Sequence, residues 1–267
     1  MTFLNASNGW TFLRRLICAL TIVYLLAPIV IVIILSFSSS PFLTFPPPGF
    51  SFQWYERIVQ DARWIDSLRT TAMITIPSAL LATAIGTAAA IAVERGRLPF
   101  RSVISGAMLM PMVVPYIITA AAIFGTFRTL GLSGTYGGFL LAHVMLTIPY
   151  VFSITLASLK TVNSSLESAA LTLGATPVRV LFSITLPMIR PAVVSGLLFA
   201  AVTSFDELVV SMFISSPQLR PLSVQMWANV QGDTDPTISA IASAMFFLTL
   251  LLLLLDSLVN RNKGADA

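Results

Sequence analysis

Asp206 and Glu207 are the residues to start from, because both lie inside the apolar run AVVSGLLFAAVTSFDELVVSMFIS, residues 192–215. A carboxylate at the centre of a membrane-spanning helix costs about 2.5–3.5 kcal/mol on insertion scales, so a chain that keeps one there has a use for it. On a continuous helix Ser204, Glu207, Ser211 and Ser215 form one polar stripe, and Asp206 points about 100° away beside Thr203. A polar stripe in lipid must face a cavity or another helix. Two readings are open. Thr203, Ser204, Asp206, Glu207 and Ser211 could line a pathway that favours cations. They could instead hold subunits together by a salt bridge or an interhelical hydrogen bond. His143 is the single histidine and lies in another apolar run. It could shuttle protons, but a packed, hydrogen-bonded ring without a transport role is the expectation. No other His or Cys is placed to share a metal with it, so no metal site is expected.

Other chemistry has no residues to carry it. Only Lys160 and Lys263 are present, and neither follows a Gly as a phosphate-binding GK[ST] loop requires. Ser, His and Asp never meet in a triad at one depth. The chain is therefore not expected to be an enzyme or to bind ATP. If ATP drives it, another chain performs the hydrolysis.

The elements that position these residues are apolar. The 267 residues are 56% hydrophobic and 10% charged, whereas soluble domains carry about 25% charged residues. This composition implies an integral membrane protein in contact with lipid, and the net charge of +4 gives no reason to expect nucleic acid. Six runs are long enough to span, roughly 15–37, 70–93, 102–127, 136–158, 192–215 and 237–259, which predicts one all-α transmembrane domain over 1–267. Cys18, the single cysteine, lies in the first run, which reads as a retained helix rather than a cleaved signal peptide. Arg14, Arg15, Arg95, Arg97, Arg101, Lys160, Arg179, Arg190, Arg261 and Lys263 fall on one side, and Arg57, Arg63, Arg69, Arg128 and Arg220 on the other. Ten against five places both termini and the 159–191 loop in the cytoplasm.

Details along the chain refine this outline. Pro46, Pro47 and Pro48 forbid helix in the first outer loop. Phe52, Trp54 and Tyr55 then begin a short amphipathic piece, which either anchors at the membrane interface, the main expectation, or contacts an external protein partner. The second run is rich in Ala, Thr and Gly, which let helices pack closely, and Pro77 is expected to bend it. Pro111 and Pro115 predict a break in the third. A short helix is expected around Leu222 to Val230, Asp235 and Pro236 should open the last span, and the RNKGADA tail should be mobile.

The 159–191 loop contains the only long amphipathic segment between two apolar runs, LESAALTLGATPVRVLFSITLPMIRP. Ser164 and Glu167 have the spacing of a capping box. Gly174 suits a left-handed helix end, and Thr176–Pro177 a new helix start. The expectation is two short helices at a Gly corner.

That segment resembles the EAA loop of the permease subunits of ATP-binding-cassette importers. The family pattern is Glu-Ala-Ala, three residues, Gly, nine residues, then Ile-x-Leu-Pro. Ala169, Ala170, Gly174, Ile184, Leu186 and Pro187 fit it at the right spacing. Ser168 stands where the family usually has Glu, and the acid is one residue earlier at Glu167. LSFSSSPF, GFSFQWY, SFDELVVSMFI and PLSVQMW extend the resemblance to the second permease subunit of spermidine/putrescine-type importers. The resemblance implies a type I importer permease fold of six spans in the bacterial inner membrane, with a coupling-helix loop between the fourth and fifth. It implies that Glu167, Ser168, Ala169, Ala170, Gly174, Ala175, Ile184, Leu186 and Pro187 couple the chain to a cytoplasmic ATPase. The implied partners are a second permease, two ATPase copies carrying ATP and Mg²⁺, and a periplasmic substrate-binding protein. The implied mechanism is alternating access, for a polyamine or for an opine, amino acid-like or phosphonate solute. An ion-coupled secondary transporter, using Asp206 and Glu207 as ion sites, and a non-transporting membrane scaffold are the readings from other classes.

Overall fold

The computed structural model describes residues 4–96, 98–232 and 235–261, with side chains over 10–96, 98–232 and 235–251. Arg97, Lys263, the Arg261 side chain and the rest of the tail lie outside the described residues, so the charge asymmetry rests there on sequence alone. Among the described residues every regular element is a helix. The chain divides into two compact units, residues 1–62 with 228–249 and residues 63–227 with 250–267.

The first unit contains α1 (Leu4–Ser36), α2 (Gln53–Gln60) and most of α12 (Thr237–Arg261). From Trp10 to Ile31, helix α1 exposes most of its apolar side chains, as a lipid-facing helix with internally satisfied backbone can. The proline-rich stretch forms no helix, and α2 folds back on the end of α1. The Trp54 indole N–H donates to the Ser38 carbonyl at 2.6 Å, and the Tyr55 hydroxyl meets Ser36 Oγ at 2.8 Å. Phe37 packs against Phe52 and Tyr55. Trp54 is thus buried and clamps the loop, while Phe52 stays exposed. Arg57 pairs with Asp235 at 2.9 Å. Asp235 Oδ1 also accepts the Thr237 N–H, which caps α12 as its sequence predicts.

The second unit is built on α3 (Ala62–Arg95), α6 (Tyr136–Thr161) and α9 (Leu186–Phe205). One face of α3 buries Thr71, Ile74, Ser78, Ala82, Gly86, Ala90 and Val93 at helical spacing. A Cβ on Gly86 would lie 2.9 Å from Val151 Cβ on α6, and one on Gly196 of α9 would lie 3.3 Å from Val151 Cα. Small residues on two helices therefore close on one valine of a third.

The third run is broken as expected, into α4 (Arg101–Val113) and α5 (Tyr116–Thr129), whose axes differ by 100°. Val114 and Pro115 are both extended, with ψ of 132°. Pro115 disfavours helix at Val114 and brings no N–H of its own.

Two expectations fail near the fifth run. The helix over 192–215 is not continuous: α9 stops at Phe205, and α10 (Val209–Ile214) starts after a three-residue break. The second helix of the loop is not short either. After α7 (Ser164–Thr172), α8 (Pro177–Val180) runs through a wide π turn at Leu181–Thr185 straight into α9. Pro187 offers no N–H to the Ser183 carbonyl, and a wider turn before it relieves the lost bond. Helix α11 (Leu222–Gln231) forms where expected, tied by its Leu222 N–H to Thr71 Oγ1 at 2.8 Å.

Four helices are long and apolar enough to cross a membrane: Trp10–Ser36, Ala62–Arg95, Tyr136–Thr161 and Pro177–Phe205. The bent pair α4–α5 makes a fifth if it is one span, and Thr237–Leu251 is a shorter apolar helix among the described residues. Six spans are compatible with this set.

Candidate functional site

The two breaks in the second unit meet at one pocket. Tyr116 follows the break at Val114–Pro115, and Asp206, Glu207 and Leu208 form the break between α9 and α10. With Tyr150, Val202, Thr203 and Val209 they line an open cavity of about 380 Å³. Asp206 caps the C-terminus of α9 and is exposed, and its carboxylate has no ion pair among the described residues. A helix C-terminus carries partial negative charge, so that end and the carboxylate both favour a cation.

Glu207 borders the same cavity but is otherwise engaged. Its Oε1 accepts the Val210 N–H at 2.7 Å and its Oε2 the Ser211 N–H at 2.8 Å, which caps α10. The negative side chain sits on the positive helix end, as electrostatics requires.

Ser204 and Ser211 do not line the pocket. Both are buried against His143, whose Nδ1 lies 2.8 Å from Ser204 Oγ and whose Nε2 lies 3.2 Å from Ser211 Oγ. Ser204 also donates to Thr75 Oγ1 at 3.4 Å. This chain joins α3, α6, α9 and α10, and it makes His143 the packed, hydrogen-bonded ring expected from sequence. Of the five residues read as pathway, Thr203, Asp206 and Glu207 reach the cavity, and Ser204 and Ser211 serve helix packing. Sequence reasoning missed Tyr116 and Tyr150. Each follows a proline inside an apolar run, and a half-buried tyrosine there needs a partner for its hydroxyl.

The second candidate region is the loop α7–α8. Ser164 is not the cap of α7, which corrects the capping-box expectation: Asn163 Oδ1 accepts the Ser165 N–H at 3.0 Å. Glu167 does not cap either. Its carboxylate is buried and pairs with Arg95 at 2.9 Å, while Thr185 Oγ1 donates to it at 2.9 Å. The corner itself forms as its residues dictate. Gly174 has φ of +89°, the Ala175 N–H reaches the Ala170 carbonyl, and the Gly174 N–H reaches the Leu171 carbonyl. Thr176 Oγ1 then accepts the Arg179 N–H, with Pro177 at the first helical position. Ser168, Ala169, Leu171 and Leu173 face outward, Leu173 at 88% exposure. Ala170, Ala175, Ile184 and Leu186 are half-buried, and Pro187 is exposed. Glu167 is the one residue of this set turned wholly inward.

A family model described as "Binding-protein-dependent transport system inner membrane component" matches residues 82–263, which include both regions. The chain belongs to this family. The permease is 34% identical over 254 residues to the spermidine/putrescine transport system permease protein PotC of Haemophilus influenzae, covering 95% of this chain and 98% of that one. It is 33% identical over 237 residues to the putrescine transport system permease protein PotI of Escherichia coli K12, covering 86% of this chain and 84% of that one. Its fold is similar to a chain of a bacterial ABC transporter that imports the acidic polysaccharide alginate. There the TM-score is 0.73 at 16% identity, over 96% of this chain and 97% of that one. The permease is thus a multi-pass inner-membrane protein with the importer permease fold. That fold also serves a polyanion, so it does not decide the substrate; the site must.

Proposed function

We propose that this chain is one permease half of an ATP-driven importer for a polyamine such as putrescine or spermidine. The observation that carries the reading is the cavity between the two helix breaks, which Asp206, with no ion pair among the described residues, lines together with Tyr116, Tyr150 and Thr203. Discontinuous spans with helix ends turned to a shared cavity are a recurring form of transport site. An alkylammonium group fits this wall: the carboxylate attracts it where water is scarce, and the tyrosine rings and hydroxyls take its sides. The names of the two relatives support the same substrate class. A second permease supplies the other half of the pathway, and an external binding protein delivers the substrate. Two cytoplasmic ATPases hold ATP and Mg²⁺ and dock on α7–α8, whose exposed Ala and Leu side chains suit an apolar groove. Both termini then lie in the cytoplasm, in accord with the Lys and Arg count.

The test is uptake by the complete transporter in proteoliposomes. Labelled putrescine and spermidine should enter on ATP addition and stay out under a proton gradient alone. Aminoethylphosphonate and acidic solutes should compete weakly. Asp206→Asn should lower apparent polyamine affinity on the order of tenfold, as expected for a lost charged partner. Uptake driven by the gradient without ATP would overturn the reading in favour of a secondary transporter.

A further inference from the structure

Arg95 ends α3, far in sequence from the loop it touches. Its Nε–H donates to Glu167, at 2.9 Å from Oε2 and 3.2 Å from Oε1. Its Nη2 donates to the carbonyls of Leu159 and Val162, at 3.0 and 3.1 Å. Those are free acceptors at the C-terminal end of α6, where a cation also suits the helix end. Glu167 accepts in addition the Thr185 hydroxyl from the wide turn that leads into α9. One guanidinium and one carboxylate therefore join the ends of α3, α6 and α9 to α7.

The loop needs such a junction if it is to carry force. Along the chain, α7 is held by an extended joint at Val162–Asn163 and by the left-handed corner at Gly174. Both are non-helical joints in the backbone. A push on the exposed face of α7 would be taken up by rotation at these joints unless a side-chain link resisted it. Glu167 is buried against Arg95 and Thr185, whereas Ser168 and Leu173 are exposed, so it is placed to link and not to dock.

We infer that the Arg95–Glu167–Thr185 junction is the strut that turns movement of the docking helix into movement of the second, fourth and fifth spans. Its members are positioning residues: they touch neither substrate nor nucleotide. The inference rests on the reading of α7–α8 as the ATPase docking surface.

The experiment uses the assembled importer in proteoliposomes, with both permeases, the ATPase and the binding protein. Three quantities are measured for Glu167→Gln, Arg95→Gln and the double variant: ATPase retained on the purified complex, hydrolysis rate, and substrate moved per ATP hydrolysed. Each single variant should keep the ATPase and keep hydrolysing, while substrate per ATP falls on the order of tenfold, within the usual range of coupling between sites. The double variant should be no worse than the worse single one, because both singles break the same link. Thr185→Val, which leaves the ion pair intact, should give a smaller fall in the same direction. Unchanged substrate per ATP in the single variants would overturn the strut. So would loss of the ATPase from the complex, since Glu167 would then be a docking contact. If the wild-type complex holds no ATPase on α7–α8, the reading of the docking surface has failed instead, and crosslinking at the exposed Leu173 distinguishes that case.

Discussion

Asp206 and Glu207 are neighbours in sequence, and a helix end stands on each side of them. Asp206 closes α9, where no donor claims its carboxylate among the described residues, whereas Glu207 opens α10 and gives both oxygens to backbone N–H groups. The sequence marks the pair as costly, and hence as used, but it hides the division between them. SFDELVV contains no Pro or Gly to announce a break; the break is held by the Glu207 side chain, which competes for N–H groups a continuous helix would have used. Substitutions should separate the two roles. Glu207→Gln keeps one acceptor but turns an NH₂ toward the second N–H, so α10 should lose about 1 kcal/mol of capping. Thermal unfolding of the purified permease should show a lower midpoint, while competition between putrescine and acidic solutes stays as in the parent. A changed substrate preference with an unchanged midpoint would give Glu207 the role assigned to Asp206.

Local signals at the scale of elements were legible wherever a single residue dictates backbone geometry. Pro115 predicts the 100° break, Gly174 the left-handed corner, Thr176–Pro177 the new helix start, and Asp235 the cap of the last helix. Long-range contacts were not legible. Glu167 reads as a capping residue because Ser164 lies three positions before it, but Arg95, 72 positions away, claims its carboxylate. The wide turn at Leu181–Thr185 follows from Pro187, whose effect falls a turn earlier than its own position. Helix contact at Val151 is a further case of small residues chosen for a distant neighbour. Gly86→Val would force a branched Cβ into 2.9 Å contact with Val151 Cβ and 3.1 Å contact with the Phe152 backbone. Overpacking of this kind costs about 1–3 kcal/mol. The variant should show reduced yield of folded permease in detergent and a lower unfolding midpoint, and Gly125→Val, whose Cβ position has no neighbour within 4 Å, should not.

For the whole molecule, orientation decides whether the two sites can work together. In the proposed importer the α7–α8 loop is useful only on the side where nucleotide is available, and the cavity only if substrate reaches it from the other. Sidedness rests on the distribution of Lys and Arg, ten against five, and three of the ten positions lie wholly or partly outside the described residues. The chain offers a clean way to test it, because Cys18 is its only cysteine. Cys18→Ser removes the background, and single cysteines can then be placed at exposed positions of opposite predicted side. Thr172 ends α7, and Gln218 lies between α10 and α11, in the loop that the Lys and Arg count puts outside. With a membrane-impermeant maleimide, Gln218→Cys should label once the outer face of the inner membrane is accessible. Thr172→Cys should label only after the inner membrane is opened, and less when the ATPase is bound, because the groove that receives α7 would cover it. Labelling of Thr172→Cys from outside would place α7–α8 where no cytoplasmic motor can reach it. The cavity and its carboxylate would then have to work from an ion gradient, which is the condition under which Asp206 and Glu207 become ion sites.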